Sequence, residues 1–343
     1  MRAIVQDGYG GPEVVRVAEV PEPVPGPREV AIRVGAAGVH AGDVRIMRGE
    51  PLMIRAVFGR RRPRRPVMGR DVVGTVVAVG AAVDGLAVGD RVFAESVTGG
   101  FAEVVVVDAP HVRRAPGNLD DEHVAVIPVS GTTALQGLRL ARARAGDRVL
   151  VIGASGGVGT FAVQLAAGLG AEVTGVASAA KADHVRAAGA THVIDYRAAD
   201  VTSQGERYDV VFDLIGDRPL RAMRRILAPR GTLVLSSGGG SRVFGPLGRM
   251  VRASLLDLFT RQRLRALAAR RDGDDLDELR RLAEAGTLRP IVDRVLPMER
   301  AAEAIELLES GAVRGKVALR GFRRDEPAAA VGDAAAQPSS TAP

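Results

Sequence analysis

The 343-residue chain has no cysteine and no tryptophan, and only 3% of its residues are aromatic. The first absence excludes disulfides, thiolate zinc ligands and a cysteine nucleophile, and it suits a reducing cytoplasm. The scarcity of aromatic rings removes the stacking platforms on which single-stranded nucleic acid is usually held. No apolar run reaches the length of a membrane span, and the opening MRAIVQDGYGGPEVV has no apolar signal core. The expectation is a soluble cytoplasmic protein with neither nucleic acid nor membrane as partner. Histidine is scarce as well, and His111, His123, His184 and His192 lack the H-x-x-H or H-x-x-x-H spacing of a metal site. Each reads as a surface or turn residue.

What the chain does contain is glycine, arginine and short apolar runs. The formal charge is +7, carried mostly by arginine and dispersed along helix-like segments, where a solvated surface accounts for it. One cluster stands apart, Arg60-Arg61-Arg62-Pro63-Arg64-Arg65-Pro66. It reads as a solvated basic loop near a cleft, as a nucleic-acid patch, or as a clamp for an acidic substrate.

The organising stretch is RVLVIGASGGVGTFAVQLAAGLGAEVTGVAS, from Arg148 to Ser178. Val149 to Ile152 is a short apolar run, as expected of a strand buried on both faces of a parallel sheet. Gly153, Gly156, Gly157 and Gly159 follow, and then Val158, Phe161, Ala162, Leu165 and Leu169 share one helix face. Ala171 to Ser178 reads as the next strand, which completes a β-α-β unit. Strictly the match is A-x-G-x-x-G, from Ala154 through Gly156 to Gly159. Glycines at such a turn let a pyrophosphate approach the backbone amides and the positive end of the helix dipole. The turn therefore points to a dinucleotide. Dinucleotide sites that hold unphosphorylated ribose hydroxyls use Asp or Glu about 20 residues past the turn. This chain has Ser178 there, so no acid would compete with a 2′-phosphate. Ser155 lies inside the turn, in G-A-S-G-G rather than G-x-S-x-G, and no spacing supplies a base for it.

Residues 1 to about 120 read as a β-rich domain, with strands at Glu29 to Val34, Asp71 to Val79, Arg91 to Ala94 and Phe101 to Val107. Pro21 to Pro27 is an extended loop. From Leu119 to about Leu235 helices and strands alternate, which predicts a doubly wound parallel sheet. Its helix Thr132 to Ala145 precedes the glycine-turn strand, and Thr232 to Ser236 is a later strand. Arg252 to Ala285 reads as arginine-rich helix, and strands at Val292 to Leu296 and Lys316 to Leu319 flank a helix at Met298 to Ser310. The tail, 323–343, has too few apolar residues to order itself.

Taken together, GYGGPEVVRVAEVPEPVPGP, GVHAGDVRIMRG, PVMGRDVVGTVVAVG, VGDRVFA, GGFAEVVVV, SGTTALQGL, GASGGVGTFAVQLA, AGATHVIDY and RGKVAL make the chain resemble the medium-chain dehydrogenase/reductase superfamily, in its zinc-free, quinone-oxidoreductase-like branch. The resemblance implies an α/β protein: a Rossmann doubly wound parallel sheet plus a β-rich GroES-like catalytic domain. The implied boundaries are 1–120 for the catalytic domain, 121–288 for the NADP-binding domain, 289–322 for the return to the catalytic domain, and 323–343 for a disordered tail. The cofactor implied is NADPH. Its contacts would come from Thr133, from Gly153, Ala154, Ser155, Gly156, Gly157, Val158 and Gly159, from Ser178, Lys181 and Tyr196 around the 2′-phosphate, from Ile215 and Gly216, from Ser236, Ser237 and Gly238, and from Lys316. A homodimer through the Rossmann domain is implied too, with Gly231 to Ser236 as a sheet edge in need of cover.

Zinc-dependent members of the superfamily carry cysteine where this chain has His40 and histidine where it has Arg70, and their cysteine-rich structural loop is missing. No metal site is therefore expected. Zinc-free relatives usually carry Asn at the position of His40, often an aromatic at that of Val44, and frequently Tyr at that of Val104. His40 is the candidate catalytic residue, as a proton donor to a substrate oxygen; the alternative is a turn histidine contacting the backbone. The activity implied is hydride transfer from NADPH to a quinone or an α,β-unsaturated carbonyl. A reading from another class is an NADPH-binding redox sensor or interaction protein with little turnover.

Overall fold

The computed structural model describes residues 1–236 and 241–322. Ser237, Gly238 and the tail 323–343 lie outside these residues. The first part of the chain supplies β1 (Arg2–Gln6) and β2 (Val15–Glu19), an antiparallel pair. β3 (Glu29–Val39), β4 (Asp71–Val79), β5 (Arg91–Glu95), β6 (Val104–Asp108) and β7 (Val112–Arg114) follow. Between β3 and β4 lie two helices the sequence did not announce, α1 (Ala41–Arg48) and the short α2 (Ile54–Phe58). The strand expected from Phe101 begins only at Val104. Alternation along β4 buries Val72 and Val76 in the core of this sheet and turns Val73 toward the neighbouring core.

The chain then passes through α3 (Asp121–Val124) and α4 (Pro128–Ala141) into a second sheet. Helix α4 starts four residues before the expected Thr132, with Pro128 in its first turn, where a fixed φ and a missing N–H cost nothing. β8 (Arg148–Ile152), α5 (Gly157–Gly168), β9 (Glu172–Ala177), α6 (Ala182–Ala187), β10 (His192–Asp195), β11 (Tyr208–Asp213), α7 (Leu220–Arg225) and β12 (Leu227–Leu235) come next. Val149 and Val151 pack with α4 and α5 residues, while Leu150 and Ile152 pack with Met223 and Ala253 on the other face. The strand is thus buried on both faces, as its continuous apolar run implies.

Arg252 to Ala285 is where the helical expectation fails. The segment divides into the end of α8 (Leu247–Asp257), a strand β13 (Arg263–Ala266), and α9 (Gly273–Glu284). β13 adds in parallel to β12, so the sheet runs β10-β9-β8-β11-β12-β13 among the described residues. Gly231 to Ser236 is accordingly no sheet edge: β13 covers most of it. The chain order reverses direction at β8, between β9 and β11, which is where open parallel sheets of this kind hold ligands.

β14 (Val292–Pro297), α10 (Ala301–Glu309) and β15 (Lys316–Arg320) return to the first sheet. β15 lies antiparallel to β3, with Val317 opposite Val39, and the order is β14-β15-β3-β4-β5-β7, with β6 also paired to β3. No helix among the described residues is long and apolar enough to cross a membrane.

Candidate functional site

Two cavities bear on the site, and they share no lining residue. The larger is a cleft of 630 Å³ at the C-terminal ends of β8 and β9, bounded on the far side by the loop Ser310 to Gly315. Its floor is the glycine turn. Gly153 has φ +86, a conformation open to glycine at little cost. Gly156 is the N-cap of α5 and makes no side-chain cap, so the first-turn amides of the helix point to the cleft without one. A Cβ on Gly156 would meet only the Gly153 carbonyl, at 3.4 Å, and otherwise enter open space. The cradle suits a pyrophosphate.

Of the residues singled out in the sequence, Gly153, Ser155, Gly156, Gly157, Ser178, Lys181, Tyr196 and Ile215 line this cleft. Ala154 and Gly159 lie beneath it, shaping the turn. The Lys181 ammonium donates to the carbonyls of Gly311 and Val313, each at 2.7 Å, and so reaches across to the opposite wall. Burial lowers its pKa, which is a cost that the two carbonyls offset. Ile215 and Gly216 are set by Asp213, a residue the sequence did not mark: its Oδ1 accepts from the Gly216 amide at 2.8 Å and its Oδ2 from Arg249 at 2.8 Å. Arg197 and Arg218 also line the cleft and had no sequence signal of their own. Ser236 stands at the end of β12, its amide donating to the Asp213 carbonyl. Thr133 donates its hydroxyl to the Val129 carbonyl, 2.6 Å away, in the preceding helical turn; neither it nor Val158 lines the cleft.

Lys316 is placed differently from the expectation. Its side chain is buried, with Nζ 3.5 Å from Asp71 Oδ2, and its stem runs under Gly157, where a Cβ would stand 2.8 Å from Lys316 Cδ. It separates the cofactor cleft from a buried ionisable cluster of His40, Asp43, Asp71, Arg70 and Glu95. Asp71 Oδ1 accepts from the Val129 amide at 2.8 Å, at the N-terminus of α4. Burial nevertheless pushes the Asp71 carboxyl up and the Lys316 amine down. Arg70 is paired with Glu95.

His40 serves the backbone. It is the N-cap of α1, its Nδ1 accepting from the Gly42 amide at 2.9 Å, while Asp43 Oδ2 accepts from the His40 amide at 3.0 Å in a capping box. With Nδ1 an acceptor, the proton of the neutral ring sits on Nε2, 3.5 Å from Asp43 Oδ1. Burial, then the charges of Lys316 and Arg70, hold the imidazole well below its usual pKa, so the ring is neutral near pH 7. Burial acts the other way on Asp43 and pushes its carboxyl up to about 7. Asp43, unlike His40, lines the second cavity, a pocket of 350 Å³ with Ile46, Phe58, Met68 and Arg70.

Residues 26–117 match the family model of the alcohol dehydrogenase GroES-like domain, and residues 188–319 that of the zinc-binding dehydrogenases. The chain is 33% identical over 336 residues to a quinone oxidoreductase of Lama guanicoe, covering 93% of this chain and 97% of that one. It is 30% identical over 333 residues to a chloroplastic NADPH-dependent alkenal/one oxidoreductase of Arabidopsis thaliana, covering 93% and 79%. The fold superimposes with a TM-score of 0.80 on Escherichia coli quinone oxidoreductase complexed with NADPH, at 26% identity over 93% of this chain and 100% of that chain. The zinc in the name of one family model finds no fitting donors here. Arg70 places a guanidinium beside His40, and no three His, Cys, Asp or Glu converge to hold a metal among the described residues. The sequence blocks, the return of β14 and β15 to the first sheet, and the full-length relatives agree: the chain belongs to the medium-chain dehydrogenase/reductase superfamily, among the quinone-oxidoreductase-like proteins.

Proposed function

We propose that the protein is an NADPH-dependent reductase that delivers hydride to a quinone or an α,β-unsaturated carbonyl without zinc. The observation that carries this reading is Asp43: a carboxyl that burial lifts to about 7, so that a protonated fraction persists at neutral pH, lining a pocket with an apolar wall. Bound in that cleft, NADPH supplies the hydride. Reduction of an enone adds that hydride to the β-carbon and moves the electron pair onto oxygen, and a proton then completes the product. Delocalisation of this charge lets a modest donor suffice where an alkoxide would call for a metal. Asp43 is the donor, and the His40 amide, which donates to its Oδ2 at 3.0 Å, steadies the carboxylate left behind. The quinone oxidoreductase and alkenal/one oxidoreductase relatives support the acceptor class.

The test is a panel of quinones, enones, aldehydes, simple ketones and simple alcohols scored by NADPH oxidation or formation. Quinones or enones are expected to react fastest, with activity unchanged after dialysis against a strong chelator. Faster turnover of simple ketones or alcohols, or activity that only zinc restores, would sink the reading; NADPH binding with no turnover would favour the sensor.

NADPH is expected over NADH, because no acid stands at Ser178 and Lys181 and Arg197 line that end of the cleft. Charge-assisted hydrogen bonds contribute about 1.5–3 kcal/mol. Lys181→Ala should therefore weaken NADPH about tenfold or more while hardly altering NADH, measured by fluorescence titration. Equal affinity of the wild type for both cofactors contradicts this. A homodimer through the Rossmann sheet belongs to the same reading. With β12 covered, its support is the exposed row Val251, Leu255, Leu258 and Phe259 along and just beyond α8.

A further inference from the structure

The pocket that Asp43 lines is polar at both ends and apolar between them. Asp43 is buried at the inner end, Ile46, Phe58 and Met68 form the wall, and the exposed Arg64 and Arg65 line the outer end. At 350 Å³ it lies near the lower limit of the range of about 300–1,000 Å³ usual for ligand pockets. It suits one ring or a short enone better than a long-tailed quinone.

The arginine loop at its mouth is a built structure. Gly59 has φ +132, and a Cβ there would stand 2.1 Å from the Arg62 carbonyl. The Arg64 amide donates to the Phe58 carbonyl at 2.7 Å, Tyr9 Oη to the Gly59 carbonyl at 2.6 Å, and the Gln6 amide to the Pro66 carbonyl at 3.0 Å. Five exposed arginines are thereby carried within six residues of a held backbone. Arg70, deeper in the pocket, is paired with Glu95; Arg60, Arg61, Arg62, Arg64 and Arg65 have no hydrogen-bond or ion-pair partner for their side chains among the described residues. Like charges held together with only Asp7 near Arg62 to offset them repel one another and raise a positive potential at the mouth, which an anion relieves. Arginine's planar fork matches carboxylate and phosphate oxygens.

We propose that the pocket takes an acceptor bearing an anionic group, a carboxylate or a phosphate, which Arg64 and Arg65 hold while its conjugated system lies on the apolar wall facing Asp43. This rests on the reductase reading above and narrows its substrate class. The anchor is remote from the reacting carbon, so it fixes orientation without altering the chemistry.

The experiment compares kcat/KM for 6-oxohept-4-enoate and its methyl ester, which share the same enone, with a phosphate-tailed analogue as a separate arm to distinguish the two anions. The wild type is expected to prefer a charged acceptor by about tenfold or more at low salt, with the ratio shrinking as salt rises. In Arg64→Gln/Arg65→Gln the charged-to-neutral ratio should fall to about one, and Arg64→Lys/Arg65→Lys should restore part of it. A wild-type ratio of one or less, or a ratio the double glutamine variant leaves unchanged, overturns the proposal. If neither enone turns over, the reductase reading fails by itself, and calorimetric titration with 6-oxoheptanoate and its methyl ester still decides the inference: preference for the carboxylate that the double variant loses supports it, and equal binding overturns it. An oligonucleotide that binds through these arginines, with the two enones treated alike, assigns the loop to a polyanion and likewise overturns it.

Discussion

Asp43→Asn is expected to lower kcat/KM for a neutral enone by about 10²-fold or more, the range for loss of a general acid. The variant keeps an oxygen that accepts from the His40 amide, so the α1 cap survives. What it loses is the transferable proton. Wild-type activity should be level below pH 7 and fall about tenfold per pH unit above it, since the Asp43 carboxyl titrates at about 7. The asparagine variant should show no such limb. Stability gives the control. A carboxyl whose folded pKa lies above its unfolded value binds protons more readily in the folded state, so its contribution is favourable at low pH and is lost as pH rises through that window. Replacing it with a neutral amide removes this loss, and the variant should be at least as stable as wild type at pH 8 by denaturant unfolding. Low activity together with an unchanged pH limb would assign proton donation elsewhere.

Gly159→Ala is expected to abolish soluble folded protein, while Gly156→Ala leaves the fold intact and weakens NADPH about tenfold or more. The two glycines stand three residues apart and look alike in the motif. Their surroundings differ. A Cβ on Gly159 would lie 2.1 Å from the Gly153 carbonyl and 2.8 Å from Ala154 Cα, all backbone, so α5 would have to leave β8. Overpacking of this kind costs about 1–3 kcal/mol or more, and here the atoms in the way are those that form the turn. Gly156 has φ −85 and ψ 176, which alanine adopts freely, and its Cβ would fill the space over the helix amides. Thermal denaturation and cofactor titration of both variants separate the two roles. Equal melting temperatures for Gly159→Ala and wild type would remove the packing argument.

The strand, glycine turn and helix around Gly153 to Gly159 were legible because the signals are local: an apolar run, a break, and a helical stripe. β13 was not. Of its four residues, Arg-Leu-Arg-Ala, only Leu264 is buried, and its partner Thr232 to Leu235 lies about thirty residues earlier, so neither pattern nor neighbourhood marks a strand. Helix α1 was hidden by its cap. His40 is an uncommon N-cap, and the sign of the helix was the spacing His40-x-x-Asp43, a capping box with unusual members. The cofactor cleft was half visible, since Ser178 and Lys181 follow the turn in sequence. Arg197, Arg218 and Asp213 come to it from other strand ends. The acceptor pocket was beyond reach, because it gathers Gln6 from β1, Asp43 from α1, Arg64 and Arg70 from the loop before β4 and Thr98 from the loop after β5, and no spacing relates them. His40 drew attention as the titratable novelty, yet burial lifts its neighbour Asp43, and Glu95 beside Arg70, to about 7 while it holds the imidazole neutral.

The pairing of β15 with β3 bears on how the protein is made. Val39 waits for Val317, so part of the β3 edge has no partner until nearly the whole described chain has left the ribosome. The Rossmann sheet, β8 to β13, is complete in sequence before β15 emerges and can form first, as domains do during synthesis. The GroES-like sheet meanwhile presents open backbone, the form of exposure that invites pairing with other chains. Supplying a peptide that contains Lys316 to Arg320, or slowing translation ahead of it, should therefore change the yield of soluble protein far more than the same intervention at β10.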